Sequence, residues 1–178
     1  SNTRYQAVKI FDTDSNHKDP MFGLEQEFFI SKRQCFGKPP IPIAFYKSPL
    51  EPQGNYYCGV GGTNIYGREL VEEMLDKLNY AGLPITGLNA EVAPSQWEFQ
   101  VCSTGIDAAD SLILTRYICN RTFEKHNCSL DLTVKPRENL NGSGCHVNFS
   151  TLEMRNPNGY KKIKEAIDNL SKHHSLHI

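Results

Sequence analysis

The sequence predicts an α/β protein built on a mostly antiparallel sheet with helices on one side. Three observations point there. Apolar and polar residues alternate over short runs at 21–30, 96–101 and 145–151, the period of a half-buried strand. Longer runs with helical spacing lie between and after them. No Gly-x-Gly-x-x-Gly or Walker sequence follows a strand, which argues against a doubly wound nucleotide fold, and the glycine-rich stretch 59–62 lacks the required Lys and spacing.

The elements follow in order. Met21 to Ile30, MFGLEQEFFI, is bounded by Pro20 and the polar Ser31-Lys32-Arg33. As a strand it places Glu25 and Glu27 on one face and Leu24, Phe28 and Ile30 on the other. Residues 37–62 are rich in Pro and Gly and predict a long, ordered loop. Gly67 to Ala81 predicts a helix with an apolar stripe of Leu70, Val71, Met74, Leu75 and Leu78, ended by Gly82. In Asn89 to Val101, NAEVAPSQWEFQV, the residues Trp97, Phe99 and Val101 alternate with Gln96, Glu98 and Gln100. Pro94-Ser95 breaks the run, so Glu91 and Glu98 are expected on two strand segments joined by a turn. A second long helix is expected from about Asp107 to Lys125, with Asp110 in a capping-box position. Leu130, Leu132 and Val134 alternate as a strand stopped by Pro136. Cys145 to Thr151 follows as another, with His146, Asn148 and Ser150 on one face and Val147 and Phe149 on the other. Ile163, Ala166, Ile167 and Leu170 mark a last helix that runs almost to the C-terminus.

Bulk properties limit the function. The 178 residues suffice for one domain with a real core, and a net charge of -1 leaves no basic excess for nucleic acid. No apolar run is long enough to span a bilayer. The N-terminus, SNTRYQAVKIF, lacks the apolar core of a signal peptide and does not begin with Met, so the chain is expected to start inside a longer protein or to have been trimmed. Cysteines at 35, 58, 102, 119, 128 and 145 form no Cys-x-x-Cys pair, which predicts reduced thiols in a cytoplasmic protein. Asn-x-Ser/Thr sequons begin at Asn120, Asn127, Asn141 and Asn148, but so short a motif arises readily by chance.

Three strand segments thus offer polar faces, Glu25/Glu27, Gln96/Glu98/Gln100 and His146/Asn148/Ser150, with Glu91 close by. On one sheet face they would gather four carboxylates and one imidazole. Carboxylates so packed repel one another, and two divalent cations would resolve the conflict. Oxygen-dominated sites suit Mg²⁺ or Mn²⁺, and a single His is compatible with Mn²⁺ especially. Each signal also has a plain structural explanation. A Glu-x-Glu on a strand is more often its solvated face, and Phe28, Phe29, Trp97 and Phe99 are most simply core. A lone His146 is more often structural, Lys161-Lys162-Lys164 is a solvated helix face, and Asn141-Gly142-Ser143-Gly144 is either an ordinary turn or backbone close to a ligand.

The segments FGLEQEFFI, PQGNYYCGVG, YGRELVEE, NYAGLPITGLNAEVAPSQWEFQV, NGSGCHVNFST and EAIDNLSKHHSLHI are spread along essentially the whole chain, from Phe22 to Ile178. In this order they resemble glutamine synthetase of the eukaryotic (type II) kind. The resemblance implies an incomplete catalytic domain of the glutamine synthetase/guanido kinase-like fold, a curved antiparallel sheet with helices packed outside, of which residues 1–178 are the N-terminal part. It implies an ATP-dependent glutamate–ammonia ligase acting through γ-glutamyl phosphate, with glutamate, ammonia and ATP as partners and homo-oligomeric stacked rings in the full-length family. By motif position, Glu27, Glu91 and Glu98 correspond to ligands of one Mg²⁺ or Mn²⁺, and Glu25, Glu98 and His146 to ligands of a second. His146 would then be a ligand rather than a general base. Asn141 and Gly142 correspond to the loop that holds glutamate, and Asn148, Ser150 and Arg155 to positions that contact the nucleotide.

Three departures accompany the resemblance. Met21 stands where the family usually has Trp near the adenine, Cys102-Ser103 replaces a Gly-Pro, and Leu140 replaces the Trp before Asn141-Gly142. In the family a β-grasp domain precedes the region matched here, and later segments supply a flap carboxylate, phosphate-binding arginines and a further metal-ligand Glu. The isolated chain is therefore expected to have little turnover. A non-catalytic, glutamine-synthetase-like structural or interaction protein is the alternative expectation, and a cation-binding module without ligase chemistry is a third.

Overall fold

The computed structural model describes residues 2–14, 19–32, 34, 40–46, 51, 53–62 and 64–176. Its axis is one long strand, β1 (Met21–Lys32). Around it lie β2 (Ile41–Pro42), β3 (Ile85–Ala90), β4 (Gln96–Thr104), β5 (Cys128–Asp131) and β6 (Cys145–Ser150), all paired antiparallel in one six-stranded sheet. Among the described residues the α-helices are α1 (Thr3–Asp14), α2 (Arg68–Tyr80), α3 (Gly105–Glu124), the single turn α4 (Leu152–Arg155) and α5 (Tyr160–Ser171).

Strand β1 organises the sheet because it is long enough to take two partners on each edge. Along one edge it pairs β4 over residues 21–29 and then β2 at 31–32; along the other it pairs β6 over 21–26 and then β5 over 29–32. Strand β3 adds to the far edge of β4. The expected antiparallel sheet is thus present, and Ser31 and Lys32, read from sequence as flanking residues, extend its central strand.

The pleat divides β1 as its period-two pattern requires. Phe28 and Ile30 face a core shared with Trp97, Phe99 and Val101 of β4, Val71, Met74 and Leu78 of α2, and Cys119 and Phe123 of α3. Phe28 is fully buried, with ring centroids 5.8 Å from Phe99 and 5.9 Å from Phe123. Of the predicted stripe of α2, Val71, Met74 and Leu78 are core, Leu70 packs against it partly buried, and Leu75 lies outside it; the helix stops where Gly82 takes a positive φ of 72°. At its other end Gly67 has φ 91°, and a Cβ there would come within 2.5 Å of Ile30 Cδ1, so only glycine lets α2 start this close to β1.

Other expectations shift. Helix α3 begins at Gly105, two residues before Asp107, without a side-chain cap. Asp110 forms no capping box, because its carboxylate pairs with Arg4 of α1 at 2.6 Å. Helix α1 had no sequence signal, since it has no marked apolar stripe; it is held by that pair and by Phe11 packing edge-on to Phe22. Leu132 and Val134 lie beyond the end of β5 and are exposed. The loop predicted over 37–62 holds the short strand β2 and a single 3₁₀ turn at Ile43–Tyr46; its residues 37–39, 47–50 and 52 lie outside the described residues. Helix α5 forms where its periodicity placed it, yet Ile163, Ile167 and Leu170 are exposed and none of its residues is buried. Among the described residues no helix is long and apolar enough to cross a membrane, and Cys58, Cys102, Cys119, Cys128 and Cys145 are free.

Because Phe28 sits where both long helices meet the sheet, Phe28→Ala should cost about 3–5 kcal/mol. Tyr80→Ala, on a residue 95% exposed, should change stability by less than about 0.5 kcal/mol. Urea unfolding of the two variants measures the contrast, and equal effects would contradict this placement of the core.

Candidate metal centre and its surroundings

The other face of the sheet collects the polar residues. Register sets Glu27 opposite Glu98 and Glu25 opposite Gln100 across the β1–β4 pair, and Glu25 opposite His146 and Gly23 opposite Asn148 across β1–β6. Asn89 of β3 lies opposite Glu98. Glu25, Glu27, Glu98, His146 and Asn148 therefore share one face, as the alternation of each strand required.

Glu91 reaches this group from the turn rather than from a strand. It follows β3 directly, and its N–H donates to the Gln96 carbonyl at 2.8 Å, closing the turn before β4. Ser95 makes that turn with φ 67°, an uncommon conformation for a non-glycine residue. It is held by Ile30 N–H donating to its carbonyl at 3.0 Å and by Ala44 N–H donating to its Oγ at 2.7 Å. The break read at Pro94-Ser95 is thus a turn anchored to β1 and to the 3₁₀ turn.

Glu27, Glu91 and Glu98 each direct one carboxylate oxygen to a common point, with the three oxygens within 4.8 Å of one another. Like charges directly opposite across a strand pair destabilise it, and here two of the three are also buried. Burial raises the Glu91 carboxyl above its ordinary value, aided by the charges of Glu27 and Glu25 and opposed by hydrogen bonds from Val92 N–H and Asn89 Nδ2. Burial likewise raises Glu98, with Glu91, Glu25 and Glu27 adding to the shift and Gln100 Nε2 opposing it. The donors are neutral amides, among them Asn89 Nδ2 on Glu91 at 3.1 Å and Gly144 N–H on Glu27 at 2.8 Å. Three carboxylate oxygens aimed at one point, partly desolvated and without a cationic partner in the group, suit a hard divalent cation such as Mg²⁺ or Mn²⁺.

The remaining expected residues stand around this group. Glu25 lies outside the close triad but interacts electrostatically with Glu91 and Glu98, and its Oε1 accepts from Asn148 Nδ2. His146 is exposed, opposite Glu25 on β6, and does not join the triad. Arg155 donates to the Ser150 carbonyl at 3.1 Å, to Ser150 Oγ at 3.0 Å and to Asp19, which gathers Arg155, Ser150 and Asn148 at the Met21 end of the sheet. Asn141 and Gly142 lie at the opposite end, beside Gln96.

Further contributors carried no assigned role in the sequence. Gln100 links Glu98 to Asn89, donating to Asn89 Oδ1 at 2.8 Å. A bulge in the β3–β4 pairing at Ile85/Gly87 makes room for it, and a Cβ on Gly87 would lie 2.1 Å from Gln100 Oε1. The exposed Tyr57 phenol is pushed up, first by the neighbouring Cys58 and then by the charge of Glu91, with a smaller effect of Glu98. Cys58 N–H donates to the Ala90 carbonyl at 2.9 Å and ties that loop to the end of β3. The paired tyrosines of PQGNYYCGVG were the available signal. Of the three departures, Leu140 is buried against Phe29 and Ala93, Met21 opens β1 between Thr104 and Ser150, and Cys102-Ser103 continues β4.

Comparison with known proteins agrees with the sequence resemblance. The family model described as glutamine synthetase, catalytic domain, matches residues 2–175. Glutamine synthetase of Saccharomyces cerevisiae is 46% identical over 184 residues, covering 99% of this chain and 47% of the yeast protein. Glutamine synthetase of Bos taurus is 44% identical over 182 residues, covering 100% and 47%, and the nodule isozyme of Lupinus angustifolius is 44% identical over 181 residues, covering 100% and 56%. The chain spans about half the length of these relatives.

The raised carboxyls set a direction for stability. A group whose pKa is higher folded than unfolded contributes stability below its unfolded value, about 4.3 for Glu, and that contribution is lost as pH rises through the folded value. In chelator, Glu98→Gln should therefore raise the thermal midpoint at pH 7 and flatten the decline above about pH 4. A lower midpoint for this variant at pH 7 would contradict the account of the triad.

Proposed function

The chain belongs to the glutamine synthetase catalytic-domain family, and from that membership we propose that it is part of an ATP-dependent glutamate–ammonia ligase. The convergence of Glu27, Glu91 and Glu98 on one point supports this reading most directly. These three side chains would hold one divalent cation, Mg²⁺ or Mn²⁺, while Glu25 and His146 would contribute to a second beside it. A bound cation would neutralise charge on the phosphoryl group as it transfers.

The chain's own residues would do the rest. Gln100 and Asn89 fix the carboxylate orientations of Glu98 and Glu91. Arg155, Ser150 and Asn148, grouped at the Met21 end, would meet the nucleotide, and Asn141 and Gly142 at the other end would hold the substrate glutamate. The two reactants would thus approach the carboxylates from opposite ends. In the proposed reaction the γ-carboxylate of glutamate takes the terminal phosphoryl group of ATP, releasing ADP. Ammonia then attacks the acyl carbon, expels phosphate and gives up a proton as the amide forms. Assembly into homo-oligomeric rings and a cytoplasmic location belong to the same proposal. Exposed apolar residues on β6 and α5, such as Phe149 and Ile167, are consistent with surfaces that a further part of the enzyme would cover.

Isothermal titration with Mn²⁺ tests the site. The chain should bind Mn²⁺, and Glu98→Ala should weaken binding by at least about tenfold. Binding that is absent, or indifferent to Glu98→Ala, would favour the non-catalytic alternative. In a γ-glutamyl transfer assay with Mn²⁺, the 178 residues alone should turn over several powers of ten more slowly than a full-length relative, since loss of one preorganised donor already costs ~10²–10³. Clear turnover by the isolated chain would overturn that expectation.

A further inference from the structure

Two buried glutamines grip the segment Asn141–Gly144 from opposite faces of the sheet. Gln96, 1% exposed, lies on the carboxylate face. Its Nε2 donates to the Gly142 carbonyl at 2.8 Å and to Ser143 Oγ at 3.3 Å, and its Oε1 accepts from Ala93 N–H at 3.2 Å and Asn141 Nδ2 at 3.3 Å. Gln26, on the core face, donates from Nε2 to its neighbour Glu27's carbonyl at 2.7 Å and to the Gly144 carbonyl at 3.1 Å, while its Oε1 accepts from Arg116 of α3. Both carboxamides use both donor hydrogens and accept twice, so neither has spare capacity.

The held segment touches the triad. Gly144 N–H donates to Glu27 Oε2 at 2.8 Å, and the Gly144 carbonyl accepts from Glu27 N–H at 3.0 Å. Leu140 anchors one end of the segment in the apolar cluster with Phe29 and Ala93, and Ser143 N–H donates to the Val134 carbonyl at 2.8 Å. We propose that Gln26 and Gln96 are positioning residues that lock 141–144 against β1 and β4, so that the Glu27 carboxylate and the Asn141 amide are presented as one unit. The proposal rests on the reading of the triad as a cation site and goes beyond it by naming residues that are not ligands.

The chemistry requires carboxamides. Glutamate has the same shape but turns a donor into an acceptor facing the Gly142 carbonyl at Gln96 or the Gly144 carbonyl at Gln26, and an apolar side chain removes the side-chain donor from both. Arg116 fixes which way Gln26 points. A guanidinium only donates, so Gln26 must give it the oxygen and turn its NH₂ to Glu27 and Gly144.

The test measures amide hydrogen exchange at Gly144 in the metal-free chain, and Mn²⁺ affinity by calorimetry, for Gln96→Glu, Arg116→Met and Arg116→Lys. Gln96→Glu and Arg116→Met should speed Gly144 exchange at least about tenfold and weaken Mn²⁺ about 10–100-fold, the range for partners behind metal ligands. Charge alone predicts the opposite for Gln96→Glu, because an added negative charge attracts the cation. Arg116→Lys keeps a donor for Gln26 and should restore both readouts most of the way. Parent-level exchange and affinity in Gln96→Glu and Arg116→Met, with binding still lost in Glu98→Ala, would overturn the proposal. So would an Arg116→Lys variant as impaired as Arg116→Met, since that marks packing rather than donation. If Glu98→Ala leaves Mn²⁺ binding unchanged, the cation reading fails and Gly144 exchange alone decides the positioning role. Should Gln96→Glu not fold, the Arg116 pair decides it from the helix side.

Discussion

The structure depends on holding three carboxylates together against their mutual repulsion. Glu27 and Glu98 face each other across the β1–β4 pair, and Glu91 is brought in by a turn whose Ser95 takes a positive φ. Nothing in the triad favours this arrangement by itself: burial and like charge both raise Glu91 and Glu98. What enforces it lies on the opposite face, where Phe28, Trp97 and Phe99 pack into a continuous core with α2 and α3. Burial of aromatic side chains contributes about 25 cal/mol per Å² of apolar surface and opposes the electrostatic cost of the cluster. The sheet therefore carries like charges on one face while the other is secured by packing.

The polar surroundings follow from the same constraint. Among the described residues each carboxylate is met by neutral amides rather than by Lys or Arg, so the negative charge is oriented without being cancelled. Arg116 of α3 instead donates to Gln26 on the core face. Its guanidinium fixes the orientation of a carboxamide.

Much of this was legible in the sequence where a period was strong. Alternation in MFGLEQEFFI and QWEFQV gave the faces of β1 and β4, and the antiparallel register then set Glu27 opposite Glu98. The stripe of α2 and its stop at Gly82 were equally clear. Features that depend on partners distant in sequence were not. Asp110 looked like a helix cap until Arg4, 106 residues away, took its carboxylate. Gln26 is a lone polar residue in the apolar stripe of β1, a signal that something must satisfy it, but not that the partners are Arg116 and Gly144. Glu91 was expected on a strand, and the turn closed by Gln96 sets it one residue beyond. Tyr57 lies in a loop without periodicity, so the influence of Glu91 and Glu98 on its phenol had no signal in the sequence.

The most direct measurement of the central claim is anomalous diffraction at the manganese edge from crystals of the chain soaked in Mn²⁺. The account predicts a strong peak among the Glu27, Glu91 and Glu98 carboxylates, within ordinary Mn–oxygen bonding distance of all three. A map with no peak there, or with manganese only at other surface carboxylates, would contradict it.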